Sequence, residues 1–269
     1  MNMLLEFLNA QMNRPSLYGG LTESWFQYLS LVVFIVFMIF MTKKHHHAND
    51  RQLKKFLRIS AFILIGFEVY KQIIFTYRND GSYQWYAFPF QFCSTPMYVA
   101  LIASYLKPSK SRDALYMFLA TYGFFAGFAV MLYPVSVYTT TIGINIQTMV
   151  HHGGMAVMGM VLLSNHVKLK FSSFLLGSYV FVGFTLIAII FNGIHNTWIQ
   201  DGTFNMFFIN PLYQSEIPVL SLFQPLVSSG VYVLIFLFGF SLIGYLMIVF
   251  KRVFDSIPQF KSKKDLVKN

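Results

Sequence analysis

Cys93 is the only cysteine in a chain of 269 residues, and it lies in the stretch Phe88-Pro89-Phe90-Gln91-Phe92-Cys93-Ser94-Thr95-Pro96. An amide stands two residues before it and a hydroxyl two residues after. Side by side at one end of a helix, a thiol, an amide and hydroxyls look built to line a site. A thiol that acts as a nucleophile needs a base within hydrogen-bond reach. The chain offers His151 and His152, adjacent residues ahead of Gly153 and Gly154. A second ionisable pair, Glu68 and Lys71, is spaced to share one helix face. Each feature has a plainer reading: a buried packing thiol, a satisfied core histidine and a structural ion pair.

The elements that must position these groups are membrane spans. With 56% hydrophobic, 19% aromatic and only 11% charged residues, the composition falls well below the roughly 25% charge of a soluble domain. Apolar segments at 25–41, 56–75, 88–106, 114–133, 147–163, 171–191 and 222–250 predict an all-α, seven-helix transmembrane bundle. Residues 1–24 precede it and the basic tail 251–269 follows it. Seventeen of the 20 Lys and Arg residues fall on one side of these spans, so the positive-inside rule predicts an outer N-terminus and a cytoplasmic C-terminus. The net charge of +10 is thus explained by topology and calls for no nucleic acid. Lys43, Lys44, Arg51, Lys54, Lys55 and, in the tail, Lys261, Lys263 and Lys264 would attract anionic lipid head groups on that side.

Pro89 suits the first turn of the third helix, which would put Gln91 and Cys93 in its opening turns, with Pro96 removing a backbone bond one turn later. With this topology Glu68, Lys71, Gln91, Cys93, His151 and His152 fall in one layer of the outer half. Rare polar groups inside a membrane mark sites. His152 shares its stripe with Ala156 and Gly159 and should face the bundle, while His151 lies on the stripe of Met155, Met158 and Leu162. Above the layer, residues 194–219 form a long connection with no Lys or Arg, rich in aromatics and Asn, including Asn205. That reads as a functional lid or as an interfacial aromatic belt. His45, His46 and His47 read as a solvated loop, since no second ligand cluster accompanies them.

On these residues the chain resembles the YwaF-like family of bacterial integral membrane proteins, which is similar to the mammalian transmembrane protein 164 ether-phospholipid acyltransferases and, more loosely, to androgen-induced lipid hydrolases. The family's Leu-Pro-Leu-His-Leu-Cys pattern reads Phe88-Pro89-Phe90-Gln91-Phe92-Cys93 here, and its His-Gly reads His152-Gly153. A Gly-Thr-Asn-Tyr stretch and a later turn are echoed by Gly202-Thr203-Phe204-Asn205 and Asn210-Pro211. Two departures stand out: Gln91 replaces a family histidine, and the mammalian Asn-Pro-Cys-His cysteine aligns with Phe90 when the prolines are matched.

The resemblance implies a bacterial plasma-membrane enzyme that transfers or hydrolyses lipid acyl chains, with membrane lipid as substrate and no cofactor or metal. Cys93 would be its nucleophile, His152 its base and Gln91 its oxyanion donor. Glu68, Lys71, Thr95, His151 and Asn205 would line the substrate site, with Thr95 the alternative nucleophile. The competing expectation is a non-enzymatic seven-helix protein that binds or transports a small ligand, with Glu68 and His152 as protonatable groups.

Overall fold

Among the described residues, 2–256, the computed structural model contains helices and turns, with a single isolated bridge pairing Gln11 and Thr141. Helix α1 (Asn2–Leu8) precedes α2 (Leu21–His45) and α3 (Asp50–Arg78). Asn49 caps α3 reciprocally with Gln52, which satisfies orphan donors at the helix start. A short α4 (Thr95–Tyr105) follows. Helices α5 (Lys110–Phe118) and α6 (Phe124–Leu132) form one rod through a wide π turn at Leu119–Gly123. Then come α7 (Ile142–Asn165), α8 (Phe171–Ile194), a single turn α9 (Leu220–Phe223) and α10 (Ser229–Ser256). Among the described residues six helices are long and apolar enough to cross a membrane. The basic tail positions Lys261, Lys263 and Lys264 lie outside the described residues.

The segment predicted as the third span differs from expectation. Residues 88–106 are not one helix: Phe88 and Gln91 are extended on either side of a turn at Pro89 and Phe90, Phe92–Ser94 make a 3-10 turn, and α4 begins at Thr95. The pair of prolines permits this break. Pro89 holds Phe88 at ψ 132, the extended conformation preferred before proline, and Pro96 occupies the first turn of α4, where its missing N–H leaves no gap. Pro96 therefore starts the helix rather than kinking it. The whole segment still runs along about half of α3, since Gln72 donates to the Ala87 carbonyl at one end (2.7 Å) and Arg58 to that of Ser104 at the other (3.1 Å).

Helix α7 is the axis, with most of its residues buried, and α2, α3 and the α5–α6 rod all pack against it. Small residues set these approaches. A Cβ on Gly127 of α6 would fall 2.4 Å from the His152 carbonyl, and one on Gly159 of α7 would fall 2.6 Å from the Leu119 carbonyl. The stripe of His152, Ala156 and Gly159 does face the bundle, as its spacing indicated. On the far side α8 packs on α5, with Gly177 against Met117 and Phe118.

The N-terminal segment folds over the end of the bundle where α6 stops and α7 starts. Met12 N–H donates to the Thr140 carbonyl, Arg14 to that of Val135 and Tyr18 to that of Leu132.

Candidate functional site

Unwinding the chain ahead of α4 turns main-chain carbonyls inward, and one of them meets α7. His151 Nε2 lies 3.0 Å from the Cys93 carbonyl oxygen. A carbonyl can only accept, so Nε2 carries the proton and Nδ1 is left as a bare acceptor. That Nδ1 is buried and has no partner. His152 is anchored in the mirror sense, with Nδ1–H donating to the Thr148 carbonyl at 2.8 Å and Nε2 left without a hydrogen bond. The two rings meet edge to face at 5.7 Å. Each imidazole is thus pinned by one nitrogen and keeps a lone pair for accepting a proton.

The sequence favoured His152 over His151 for a functional part, yet His151 is the residue that touches the Cys93 segment. The stripe Met155, Met158 and Leu162, read as the less privileged side, is as buried as the other because α7 is enclosed on nearly every face. Both histidines are buried. Beside them Ser94 is fully buried; its hydroxyl finds no oxygen or nitrogen partner and lies within reach of the Cys93 thiol. Ser94 is one of the two hydroxyls in the Phe88 to Pro96 stretch, and its burial beside the thiol sets it apart from Thr95, which closes the turn.

Glu68 is buried on α3 and paired with Lys71 at 2.8 Å. It also accepts from Gln72 Nε2 at 2.8 Å. Gln72 in turn donates to the Ala87 carbonyl and accepts from the Tyr83 hydroxyl at 2.9 Å. Burial, with the Glu68 carboxylate nearby, pushes the Tyr83 phenol above its ordinary value. Glu68 therefore balances Lys71 and, through Gln72, anchors the loop that precedes Cys93. The charges of Glu68 and Lys71 still act on Cys93 and His152, and that of Lys71 on His151, so α3, the Cys93 segment and α7 do bring their polar groups into one region.

Gln91, Thr95 and Asn205 hold the site's frame. Gln91 donates to the Asn205 carbonyl at 3.1 Å and accepts the Phe207 N–H at 3.2 Å. One amide hydrogen of Gln91 remains uncommitted. Thr95 Oγ1 donates to the Phe92 carbonyl and closes the 3-10 turn. Asn205 accepts from the Asn210 N–H and donates to the Gln214 carbonyl. Asn192 of α8 accepts the Met206 N–H and donates to the Met206 carbonyl.

These bonds change the reading of the long connection. Phe204, Met206, Phe207, Ile209 and Asn210 are buried, so residues 204–210 plug the bundle rather than cover it as a lid. His195 stacks on Phe204 at 4.5 Å, with Trp85 and Phe88 around them. Of the histidine triplet, His45 donates through Nδ1 to the Met41 carbonyl and His46 meets His47 edge-on. Among the described residues no group of three or more His, Cys, Asp or Glu is placed to hold a metal ion.

The sequence model described as the TMEM164 family matches residues 18–250. No curated protein and no solved structure matches the chain.

Proposed function

The chain belongs to the TMEM164 family, and from that premise we propose that this multi-pass membrane protein is a lipid-modifying enzyme that transfers or hydrolyses acyl chains. The observation that carries the reading is the hydrogen bond from His151 Nε2–H to the Cys93 carbonyl, which brings the half-buried segment of the chain's one thiol to the two buried imidazoles. In this reading the Cys93 thiol gives its proton to His152 Nε2 as sulfur bonds to the ester carbonyl carbon of a lipid. The free N–H of Gln91 and the Ser94 hydroxyl face the oxyanion. Collapse expels the alcohol, which takes the proton back from the imidazolium, and the thioester passes its acyl group to a second hydroxyl or to water. Catalytic hydrogen bonds are often long in the empty enzyme and tighten with substrate.

The proposed topology has an outer N-terminus, a cytoplasmic C-terminus and seven crossings, the third made by Ala87 to Tyr105. Supporting this, the bonds at the two ends of that segment are separated by roughly 21 Å of α3. The site then opens toward the outer leaflet. Acyl-chain turnover by the full chain in proteoliposomes tests the enzyme reading, with Cys93→Ala expected to abolish it and His152→Ala to lower it sharply. Full turnover by Cys93→Ala would overturn it. One observation favours a second reading, a ligand-binding or transport protein: His151 bonds the carbonyl of Cys93 and not its sulfur. Saturable ligand binding with no acyl turnover would select that alternative.

A further inference from the structure

Helices α2 and α3 are joined by a tight loop, yet each packs on α7 rather than on the other. Between them a groove of about 810 Å³ opens toward the bilayer. Val33 and Phe37 of α2 and Ile59 and Ile63 of α3 form its walls, all about half exposed. Its floor is Gly153 and Gly154 of α7, where the absence of side chains deepens the channel: a Cβ on Gly153 would come no nearer than 3.5 Å to Phe34, and one on Gly154 would reach Leu64 at 2.9 Å. By helical periodicity this face of α7 is opposite the one that carries His151 and His152. The groove is separate from the candidate catalytic layer.

Its two ends differ in chemistry. From Leu29 to Lys44 it follows α2 for roughly 22 Å, longer than the roughly 15 Å half-thickness of a bilayer core. Lys44, Gln52 and Lys55 line the end near the α2–α3 loop, and among the described residues no acidic side chain lines any part of it. The neighbouring Lys54 is taken by Asp50 at 3.1 Å. Among the described residues Lys55 is exposed and makes no salt bridge, and Lys44 reaches only the face of Phe40 at 5.7 Å. A slot with apolar walls, a glycine floor and two lysines at its mouth matches an acyl chain joined to an anionic head group.

We propose that the α2–α3 groove is a binding site for one anionic phospholipid of the leaflet facing the α2–α3 loop, with an acyl chain on Gly153 and Gly154 and the phosphate between Lys44 and Lys55. Because α2 and α3 touch each other little beyond the His45–Phe56 ring pair near their loop, the bound chain completes their packing.

The test uses the full chain in nanodiscs with phosphatidylglycerol or phosphatidylcholine carrying a photoreactive group on the acyl chain. The expected result is preferential capture of phosphatidylglycerol on α2, α3 and the Gly153–Val157 stretch of α7. Each surface lysine near an anionic head group counts for about fivefold in affinity, so Lys44→Ala with Lys55→Ala should lower capture by on the order of tenfold after screening and leave phosphatidylcholine capture unchanged. Ser60→Phe, which fills the groove from α3, should lower capture of both lipids. Capture spread evenly around the bundle, equal capture of the two lipids by the wild-type chain, or full phosphatidylglycerol capture by the double variant would each overturn the proposal.

Discussion

Gln91 accepts the main-chain N–H of Phe207 at 3.2 Å, and Phe207 is held at φ +60 with Phe208 at φ +57. Left-handed backbone at two consecutive aromatics costs of order 1–3 kcal/mol each and persists only where the surroundings enforce it. The surroundings here are two amides, Gln91 and Asn192, gripping residues 205–207 from the Cys93 segment and from α8. Gln91→Leu leaves a buried N–H without a partner, a loss of about 1–3 kcal/mol. Thermal unfolding in detergent should show a clear fall in midpoint, larger than for Gln91→Glu, which keeps the acceptor. An unchanged midpoint for Gln91→Leu would show that the plug is held by its aromatic packing alone.

The second prediction concerns the approach of α6 to α7. A side chain on Gly127 or Gly159 meets backbone atoms, which cannot rotate away. Gly127→Val and Gly159→Val should therefore destabilise the bundle by several kcal/mol or prevent folding. Gly183→Ala on α8 has nothing within 4 Å of the new methyl and should be neutral. Folded yield by size-exclusion chromatography reads both, and equal yields would contradict the close packing described.

The third separates the histidines. His152→Ala removes the proposed proton acceptor, so turnover should fall by about 10²-fold or more. His151→Phe keeps ring volume but releases the Cys93 carbonyl, and it should lower turnover less while loosening the segment around Cys93. Hydrogen exchange at residues 91–95 measures that loosening. Exchange unchanged from wild type would mean that the His151 bond does not hold the segment.

The fourth is topology. Protease-cleavable tags at the two ends should be cut from opposite sides of the membrane, the N-terminal one from outside. Cleavage of both from one side would remove the crossing made by Ala87 to Tyr105 and turn that segment into a re-entrant hairpin.

The spans were legible because apolar length alone specifies them, and α2, α3, α7, α8 and α10 lie where composition put them. What composition could not give was the unwinding at 88–94. Two prolines seven residues apart admit either a long kinked helix or a short helix with an extended lead, and packing on α3 and α7 chose the second. The polar layer was legible as a set, because Glu68, Lys71, Cys93, His151 and His152 are rare in apolar surroundings. Their pairing was not, since which of two adjacent histidines meets a carbonyl depends on backbone that had not been placed. Gln91 and Asn205 also hold the frame, a part that sequence could not show because the main-chain partners of the Gln91 side chain lie more than 110 residues away.

The packing of α2 on α7 also sets an order of events during synthesis. Helix α2 leaves the ribosome early, has little contact with α3, and meets its main partner only when residue 165 has been made. At 5–20 residues per second that interval is on the order of ten seconds. Through it α2 must wait beside the insertion machinery with one face unmatched, kept in the bilayer by hydrophobicity alone. Substitutions that make α2 slightly more polar should thus be felt first as failed insertion, long before they weaken the finished bundle.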